Sequence, residues 1–348
     1  MPQDIKVLAA CTGGGIGDLL AALPAICALH RHFCVPIDVL TTRYAAQVLK
    51  RQDCVGEVLF DDADEPFHEL VKKLRARRYS HAIVFWSNPR IAKAIQHSGI
   101  PERVGQARRL YSFRYTKRVN VRSETGDTRS HWTDIQMDYA RALGAEPVPE
   151  DYRIELHPTE AEQQEANELL ERTVGERPFV ILHAARGITL RAAQWPSEHF
   201  AVIGDALASA FSATVLLTGS NEESQFAART AASMREPVFN VCGQTTLLGF
   251  AALARRAAVV VALDSGPMHI AAAACAPTVG IFALRTDFPD RWRPLGARVA
   301  VVGPQYPCPP RCRKETCRTF ACYAALSPDK VVSAAQSLLQ PEHIAAVP

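Results

Sequence analysis

The segment from Val259 to His269, VVVALDSGPMH, is the part of this chain best suited to bind an anion. A β-branched run that ends in Asp264 and continues into Ser-Gly-Pro and an alanine-rich stretch predicts a buried parallel strand, a tight turn and a new helix. Ser265 can cap that helix, and Pro267 suits its first position. The N–H groups of the first turn, with the helix dipole behind them, favour a phosphate or diphosphate.

A glycine-rich loop near the N-terminus brings a second reactive group. The loop contains Gly13, Gly14, Gly15 and Gly17, follows the first apolar run and ends at Asp18. Glycines allow a backbone and a bulky substrate to approach closely, and the start of the next helix projects Asp18 toward the substrate. The alternative is that Asp18 only caps the helix that it begins, since the helix dipole favours a carboxylate there.

The same loop invites comparison with a dinucleotide-binding fingerprint, but two features differ. Asp18 stands where G-x-G-x-x-G, counted from Gly13, requires its third glycine. The next predicted strand, Ile37–Thr41, ends in Thr-Thr-Arg, whereas an acidic residue would hold the ribose of NAD. A Rossmann-type oxidoreductase is therefore disfavoured and stays as an alternative that NAD binding would test.

Strand-like and helix-like segments alternate through both halves of the chain and must position these groups. Strands are predicted over Ile5–Ala10, Ile37–Thr41, Val58–Phe60, Ala82–Trp86, Phe179–His183, Thr214–Thr218, Val238–Val241, Val259–Leu263 and Thr278–Phe282, and helices over stretches such as Asp18–His30 and Pro66–Arg77. The pattern predicts two parallel sheets joined through the proline-containing segment 144–159. Such sheets bind ligands at the carboxyl ends of their strands, so we expect a shared cleft.

Length and composition narrow the class of protein. The chain has 348 residues, 48% hydrophobic content and a formal net charge of +3, which predicts a globular two-domain α/β protein that binds no nucleic acid. No apolar run approaches the roughly twenty residues of a membrane span, and the N-terminus has no signal-peptide layout, so we expect a cytoplasmic location. Ten unevenly spaced cysteines favour reduced thiols over a secreted disulfide scaffold.

Five segments together resemble glycosyltransferase family 9, the bacterial heptosyltransferases. They are GGGIGDLLAALPAICALHRHF, VILHAARGITLRAAQWPSEHF, VLLTGSNEES, NVCGQTTLLGFAALARRAAVVVALDSGPMHIAAAACAPTVGIF and CPPRCRKETCRTFACYAALSPDKVVSAAQSLL. Their order and spacing agree with the family, so the resemblance covers nearly the whole chain. The Asp-Ser-Gly-Pro-Met-His sequence is specific in company with the Gly-Asp loop and weak alone.

The resemblance implies an α/β protein of the GT-B fold, with two Rossmann-like domains whose parallel sheets face a central cleft. Residues 1–155 would bind the acceptor and residues 156–348 the sugar nucleotide, with a cysteine-rich loop at 308–322 and a final helix near the domain junction. It implies transfer of heptose from ADP-heptose, with inversion, to a lipopolysaccharide core acceptor. No cofactor would be required for that catalysis.

The resemblance also implies residue roles. Asp18 matches the catalytic base, beside an acceptor-side loop of Gly14, Gly15 and Gly17. Such a displacement needs a base for the acceptor hydroxyl and an N–H-rich or cationic clamp for the departing diphosphate. The donor-side residues would be Thr189, Arg191, Asp264, Ser265, Gly266, Pro267, Met268 and His269.

Two of these donor-side assignments have alternatives. His269 can instead serve only to hydrogen-bond a backbone group. Many relatives carry a phosphate-binding lysine close before their Trp-Pro pair, whereas Ala192, Ala193 and Gln194 precede Trp195 here. Arg191 would then have to supply the cation, and a nucleotide-sugar-binding relative without turnover stays open.

Basic residues concentrate in the N-terminal half. They are Arg75, Arg77, Arg78, Arg103, Arg108, Arg109, Arg114, Lys117, Arg118 and Arg122. An acidic glycolipid acceptor fits this excess, and so does a peripheral encounter with the anionic inner membrane, where a lipid-linked acceptor must be met. A solvated helix face explains any single arginine better, so only the collective excess is evidence.

Four late cysteines form the one local cluster. Cys308, Cys312, Cys317 and Cys322 can hold a structural zinc or iron tetrahedrally, although their spacing is looser than that of a zinc ribbon. Reduced thiols or a local disulfide are the alternatives. A bound metal would favour a sister function within the family, transfer of heptose to serine or threonine of a surface protein.

Overall fold

The computed structural model describes residues 5–61, 64–86, 88–183, 197–282, 288–303, 306–309, 312, 317–319 and 321–339. These residues form two compact units that divide between Ile154 and Glu155, inside the segment 144–159. Each unit contains a six-stranded parallel sheet with helices packed against it.

The first unit alternates strands and helices. Its strands are β1 (Val7–Cys11), β2 (Ile37–Thr41), β3 (Val55–Phe60), β4 (His81–Trp86), β5 (Glu102–Gln106) and β6 (Lys117–Val119), and its helices are α1 (Ile16–Phe33), α2 (Phe67–Ala76), α3 (Pro89–His97) and α4 (Trp132–Arg141). The sheet order is β3-β2-β1-β4-β5-β6, with all neighbours parallel. This order is that of a doubly wound Rossmann sheet.

The central strands of this sheet carry the core. Every residue of β1 and β2 is buried, as expected for strands that are covered by helices on both faces. Helix α1 buries most of its residues and packs against α4. Its end is fixed by Arg31, whose guanidinium binds the buried carboxylate of Asp151 at 2.8 and 3.3 Å.

The second unit repeats the same order. Its strands are β7 (Phe179–His183), β8 (Thr214–Thr218), β9 (Val238–Asn240), β10 (Val260–Leu263), β11 (Thr278–Ile281) and β12 (Val299–Val302). Its helices are α5 (Glu160–Glu171), α6 (Ser197–Phe211), α7 (Ser224–Ser233), α8 (Leu247–Arg256), α9 (Gly266–Ala273), α10 (Pro289–Trp292), α11 (Ala321–Ala324) and α12 (Pro328–Ser337). The sheet order is β12-β11-β10-β7-β8-β9, again entirely parallel.

The predicted fold class is confirmed: the chain is an α/β protein with two Rossmann-like units, as in the GT-B fold. The strand predictions agree with the structure to within a few residues at each end. Helix α12 packs against α6 of its own unit. Within the part of the chain that the structure describes, no helix has the length and apolar character that a membrane crossing requires.

One expectation about the cysteines is wrong. The structure joins Cys27, on α1, to Cys54, just before β3, in a disulfide with the two Cα atoms 5.1 Å apart. The sequence favoured reduced thiols because ten cysteines are unevenly spaced along a chain of 348 residues. The fold brings them together by packing the segment after β2 against α1.

Candidate active site

The glycine loop lies at the carboxyl end of β1, between the ends of its two neighbouring strands. In the sheet register Cys11 is level with Thr41 on β2 and with Trp86 on β4. The Thr41 hydroxyl donates to the Cys11 carbonyl at 2.9 Å, and Asn88 donates from its amide to the Thr12 hydroxyl at 3.1 Å. These bonds fix both sides of the loop at the edge where parallel sheets bind ligands.

Asp18 is held in the first turn of α1 by the loop itself. Gly15 precedes the first helical residue, and its backbone N–H donates to Asp18 Oδ2 at 2.9 Å. Asp18 therefore caps the helix that it begins, as the alternative interpretation of this residue predicts. The cap uses only one of its two carboxylate oxygens.

The second oxygen, Asp18 Oδ1, is buried and accepts no hydrogen bond from any residue that the structure describes. Burial raises the pKa of Asp18 above its usual value, against the opposing effect of hydrogen bonds from Gly15 and from its own backbone N–H. A raised pKa makes an ionised carboxylate a better proton acceptor. The structure thus leaves one oxygen of a basic carboxylate available to a ligand.

Asp18 lines a small depression. It is lined by Cys11, Gly14, Gly15, Asp18, Leu19, Phe85, Trp86 and Gln136. Burial and the nearby charge of Asp18 raise the pKa of the Cys11 thiol, in that order of size, so the thiol stays protonated. The lining is therefore largely apolar around two polar groups, Asp18 and Gln136.

Gln136 is the residue of this depression that the sequence did not reveal. It lies on α4, it is 2% exposed, and its Oε1 atom accepts no hydrogen bond from the described residues. A buried amide oxygen that accepts no hydrogen bond costs free energy unless a ligand or water completes it. The available signal was a glutamine between Ile135 and Met137 on the buried face of a helix.

The predicted glycines have distinct environments. A Cβ atom on Gly13 would lie 1.7 Å from Trp86 Cδ1, and one on Gly14 would lie 2.5 Å from Asp18 Cβ. A Cβ atom on Gly15 would meet nothing within 4 Å. Gly17 is the second residue of α1, directly before Asp18. Close approach thus explains Gly13 and Gly14, whereas Gly15 contributes its N–H group.

The predicted anion site in the second unit forms as a strand, a turn and a helix. Strand β10 ends at Leu263 and α9 begins at Gly266, with Pro267 as its second residue. The backbone N–H of Asp264 donates to the Ile281 carbonyl at 3.0 Å. Asp264 is exposed, and Ser265, Gly266, Pro267 and His269 are half-buried.

Two details of this turn differ from the sequence-based expectation. Ser265 does not cap α9 with its side chain, because its hydroxyl donates backwards to the Leu263 carbonyl at 2.9 Å. Pro267 occupies the second helical position, since Gly266 already has helical geometry. Met268 is fully buried in a cluster with Ala262 and Phe282, so its side chain packs in the core.

A buried histidine stands beside this turn. His183 ends β7 and is level with Ala262 on β10, two residues before Asp264. Its Nδ1 atom is 3.2 Å from the Thr218 hydroxyl, and burial lowers its pKa to about 4. Its imidazole is therefore neutral near pH 7, with a polar partner at the carboxyl end of β8. The sequence analysis missed His183, although a histidine that ends an apolar strand is a usable signal.

The family of this chain is shown by its match to a family model. The family model described as glycosyltransferase family 9 (heptosyltransferase) matches residues 67–322, which is well over half of the chain. The chain belongs to this family. The matched range contains α9 and its turn, whereas Asp18 lies before it.

Individual relatives of this family 9 glycosyltransferase are distant in sequence. This chain is 24% identical over 295 residues to a provisionally named glycosyltransferase of Haemophilus influenzae. The match covers 80% of this chain and 83% of that protein. A family 9 glycosyl transferase structure from Veillonella parvula matches with a TM-score of 0.82 at 18% identity, over 97% of this chain and 98% of the other. The E. coli ADP-heptose lps heptosyltransferase II matches with a TM-score of 0.76 at 21% identity, over 96% and 98%.

Some residues predicted for the two sites lie outside the described part of the chain, and some of the predicted cations are paired with carboxylates. Thr189, Arg191 and Trp195 lie outside the described residues. Among the described arginines and lysines of the first unit, Arg77, Arg109, Lys117 and Arg122 are paired with carboxylates. Pairing reduces the charge that those four residues can offer to an acceptor.

The late cysteines come close to one another without forming a metal site. Burial and hydrogen bonds with Cys322 and Cys312 raise the pKa of Cys308 to about 11, in that order of size. Cys308, Cys317 and the buried Cys322 pack against the core of the second unit. Across the described residues no group of three or more side chains is arranged to hold a metal ion.

Proposed function

We propose that this chain is an inverting heptosyltransferase that moves a heptose from ADP-heptose to an acidic sugar of a lipopolysaccharide core. Family membership supports glycosyl transfer, and the E. coli relative with the same fold is an ADP-heptose enzyme. The observation that carries the catalytic part is the Asp18 carboxylate, with one oxygen fixed by Gly15 and the other buried and unpartnered.

Asp18 acts as the general base in this proposal. The acceptor hydroxyl donates to Asp18 Oδ1, and its oxygen attacks the anomeric carbon as the carboxylate takes the proton. The bond from that carbon to the diphosphate oxygen breaks, and ADP leaves with the bonding electron pair. Inversion follows from a single displacement, and the reaction as proposed requires no metal ion or other cofactor.

Gln136 positions the acceptor beside Asp18. Its amide oxygen can accept a hydrogen bond from a hydroxyl that neighbours the reacting one, and its amide nitrogen can donate to a sugar oxygen. Asp18 and Gln136 line one depression, and each has a buried oxygen that no described residue bonds, which suits a ligand that carries adjacent hydroxyl groups. A sugar of the core has that character.

The start of α9 binds the departing diphosphate. The Ser265 hydroxyl is directed to Leu263 and does not cap α9, so we assign the Gly266 N–H at the helix start to the ligand; Pro267 has no N–H, and the Met268 N–H donates to the Ser265 carbonyl at 3.1 Å. Neutral His183 and Thr218 lie at the carboxyl ends of the adjacent strands, where nucleotide ligands of Rossmann-like sheets bind. Arg191 is the cation that we assign to the leaving group, together with Thr189.

The acceptor is acidic and lipid-linked in this proposal, so the enzyme works in the cytoplasm and meets the inner membrane peripherally. Of the ten basic residues named in the first unit, Arg78, Arg108 and Arg118 are exposed, and their side chains form no ion pair or hydrogen bond with a residue in the described ranges. They are the cations best placed to bind acceptor carboxylates or phosphates.

Incubation with ADP-heptose and deacylated core oligosaccharides, followed by mass spectrometry, tests the function. We expect a mass increase of one heptose on the oligosaccharide and release of ADP. A thermal-shift titration should show stabilisation by ADP-heptose and a weaker response to GDP- and UDP-sugars. A response to UDP-sugars alone would overturn the donor assignment.

A further inference from the structure

The loop between β5 and β6 exposes two large apolar side chains. Leu110 is 99% exposed and Phe113 is 61% exposed, whereas most residues of their kind in this unit are buried. An exposed leucine alone is ordinary. Two such side chains three residues apart on one basic loop indicate a binding surface.

The loop is built to present them. Ser112 is 5% exposed, and its hydroxyl accepts from Arg109 N at 2.9 Å and donates to the Gln106 carbonyl at 2.7 Å. Tyr115 is 3% exposed and packs over Gly105, where a Cβ atom would lie 2.3 Å from the tyrosine ring. These two anchors hold the loop from below, so the exposure of Leu110 and Phe113 is fixed by the fold.

Cations flank the apolar pair. Arg108 and Arg118 are exposed and form no ion pair with a described residue, and the Arg114 guanidinium lies 4.8 Å from the Phe113 ring. Arg109 and Lys117 add two charges that Glu124 and Glu102 offset. The loop therefore carries three uncompensated positive charges around its two apolar side chains.

We propose that residues 108–118, which comprise the loop after β5 and the start of β6, dock the enzyme on an anionic lipid bilayer with Leu110 and Phe113 inserted below the headgroups. Apolar side chains enter the boundary between headgroups and acyl chains, while arginines remain at the phosphates. The charge of the loop fits anionic lipid, and two exposed apolar side chains on a loop that also carries exposed arginines match the mixed apolar and charged character of the headgroup boundary. The inference rests on the proposed lipid-linked acceptor and gives its encounter with the membrane a defined surface.

Co-sedimentation with vesicles tests the docking without donor or acceptor, so it is separate from the test of heptose transfer. The full chain is mixed with vesicles of phosphatidylethanolamine and phosphatidylglycerol, or of phosphatidylcholine alone. We expect binding to the anionic vesicles only, weakened as salt rises from about 0.1 M to about 0.5 M.

The double variant Leu110→Glu/Phe113→Glu should weaken this binding by about tenfold or more, because insertion is lost and two negative charges are added. The matched control is Val202→Glu, a change of a 51% exposed residue on α6 in the second unit, which should bind like the wild type. Both variants should retain the wild-type melting temperature. Leu110→Ser is the milder substitution and should reduce binding in the same direction.

Three results would overturn the inference. One is a wild-type chain that does not sediment with anionic vesicles, and another is a double variant that binds as well as the wild type. The third is a wild-type dimer, seen by analytical ultracentrifugation, that the double variant converts to a monomer without any vesicle binding. In that case the apolar pair joins two copies of the chain.

Discussion

Asp18 and Gln136 line the same depression, and each has a buried oxygen that accepts no hydrogen bond from the described part of the protein. The two residues come from different helices, α1 and α4, which pack together in the first unit. Unsatisfied buried oxygens cost stability unless water or a ligand completes them, and the acceptor proposed above would supply the hydroxyl groups to do so.

Substitution of Gln136 should affect the acceptor and not the donor. Gln136→Leu removes the amide at similar volume, and we expect the acceptor KM to rise by about tenfold, which is the scale of one or two lost hydrogen bonds. The KM for ADP-heptose should not change. Steady-state kinetics with each substrate varied in turn makes the measurement.

A matched control for this variant is Gln164→Leu, the same change at an exposed position on α5. It should leave both KM values unchanged. A further variant, Gln136→Glu, adds a charge beside Asp18 and should move the acidic limb of the pH–rate profile upward. Equal changes in both KM values for Gln136→Leu would show that Gln136 acts only through the fold.

The raised pKa of Asp18 should make the free energy of unfolding depend on pH. In the folded state burial raises this pKa, while the unfolded value is about 3.9, so the folded state binds more protons between the two values. The contribution of Asp18 to the free energy of unfolding is fully present below its pKa in the unfolded state. It is lost as pH rises through its pKa in the folded state. Asp18→Asn should therefore melt at a higher temperature than the wild type at pH 7, and the difference should shrink toward pH 3. A lower melting temperature at pH 7 would contradict this view of the site.

A pair of glycine substitutions tests the close packing of the loop. In Gly13→Ala the new methyl group overlaps Trp86, whose displacement should cost about 1–3 kcal/mol of unfolding free energy and change the tryptophan fluorescence. Gly15→Ala meets no atom and has an ordinary φ of −85°, so it should cost less than about 1 kcal/mol. Chemical denaturation measures both values. Equal losses for the two variants would mean that Trp86 does not rest on Gly13.

His183 should make the second unit sensitive to acid. Its pKa of about 4 in the folded state lies below that of a free histidine, so the unfolded state binds more protons between about pH 4 and about pH 6.5. Stability should fall as pH drops through this window. In His183→Asn that part of the fall should disappear, whereas His68→Asn, at an exposed position, should keep it. Unfolding curves at several pH values decide between these outcomes.

Much of the fold was predictable because the central strands of both sheets are continuous apolar runs. Strands β1, β2, β7, β8 and β10 are buried along their whole length, so their periodicity and β-branched residues are sufficient to locate them. Strands β5, β6 and β12 were not predicted. They lie toward the sheet edges and are polar or only half-buried, so apolar periodicity does not mark them.

The candidate site was predictable where local sequence determines it. The position of Asp18 after a glycine loop and the turn before α9 both depend on neighbouring residues. Gln136 and His183 take their significance from long-range packing, which places them beside residues more than 70 positions away. The disulfide between Cys27 and Cys54 was unpredictable for the same reason.

The most direct test of the central claim is the rate of heptose transfer by Asp18→Asn, measured alongside its affinity for ADP-heptose. Asp53→Asn, at an exposed position of the same unit, is the matched control and should transfer at the wild-type rate. We expect Asp18→Asn to lose about 10²- to 10⁴-fold in kcat, the usual contribution of a general base, while donor affinity stays within about twofold. Transfer at the wild-type rate by Asp18→Asn would contradict the assignment of Asp18 as the general base.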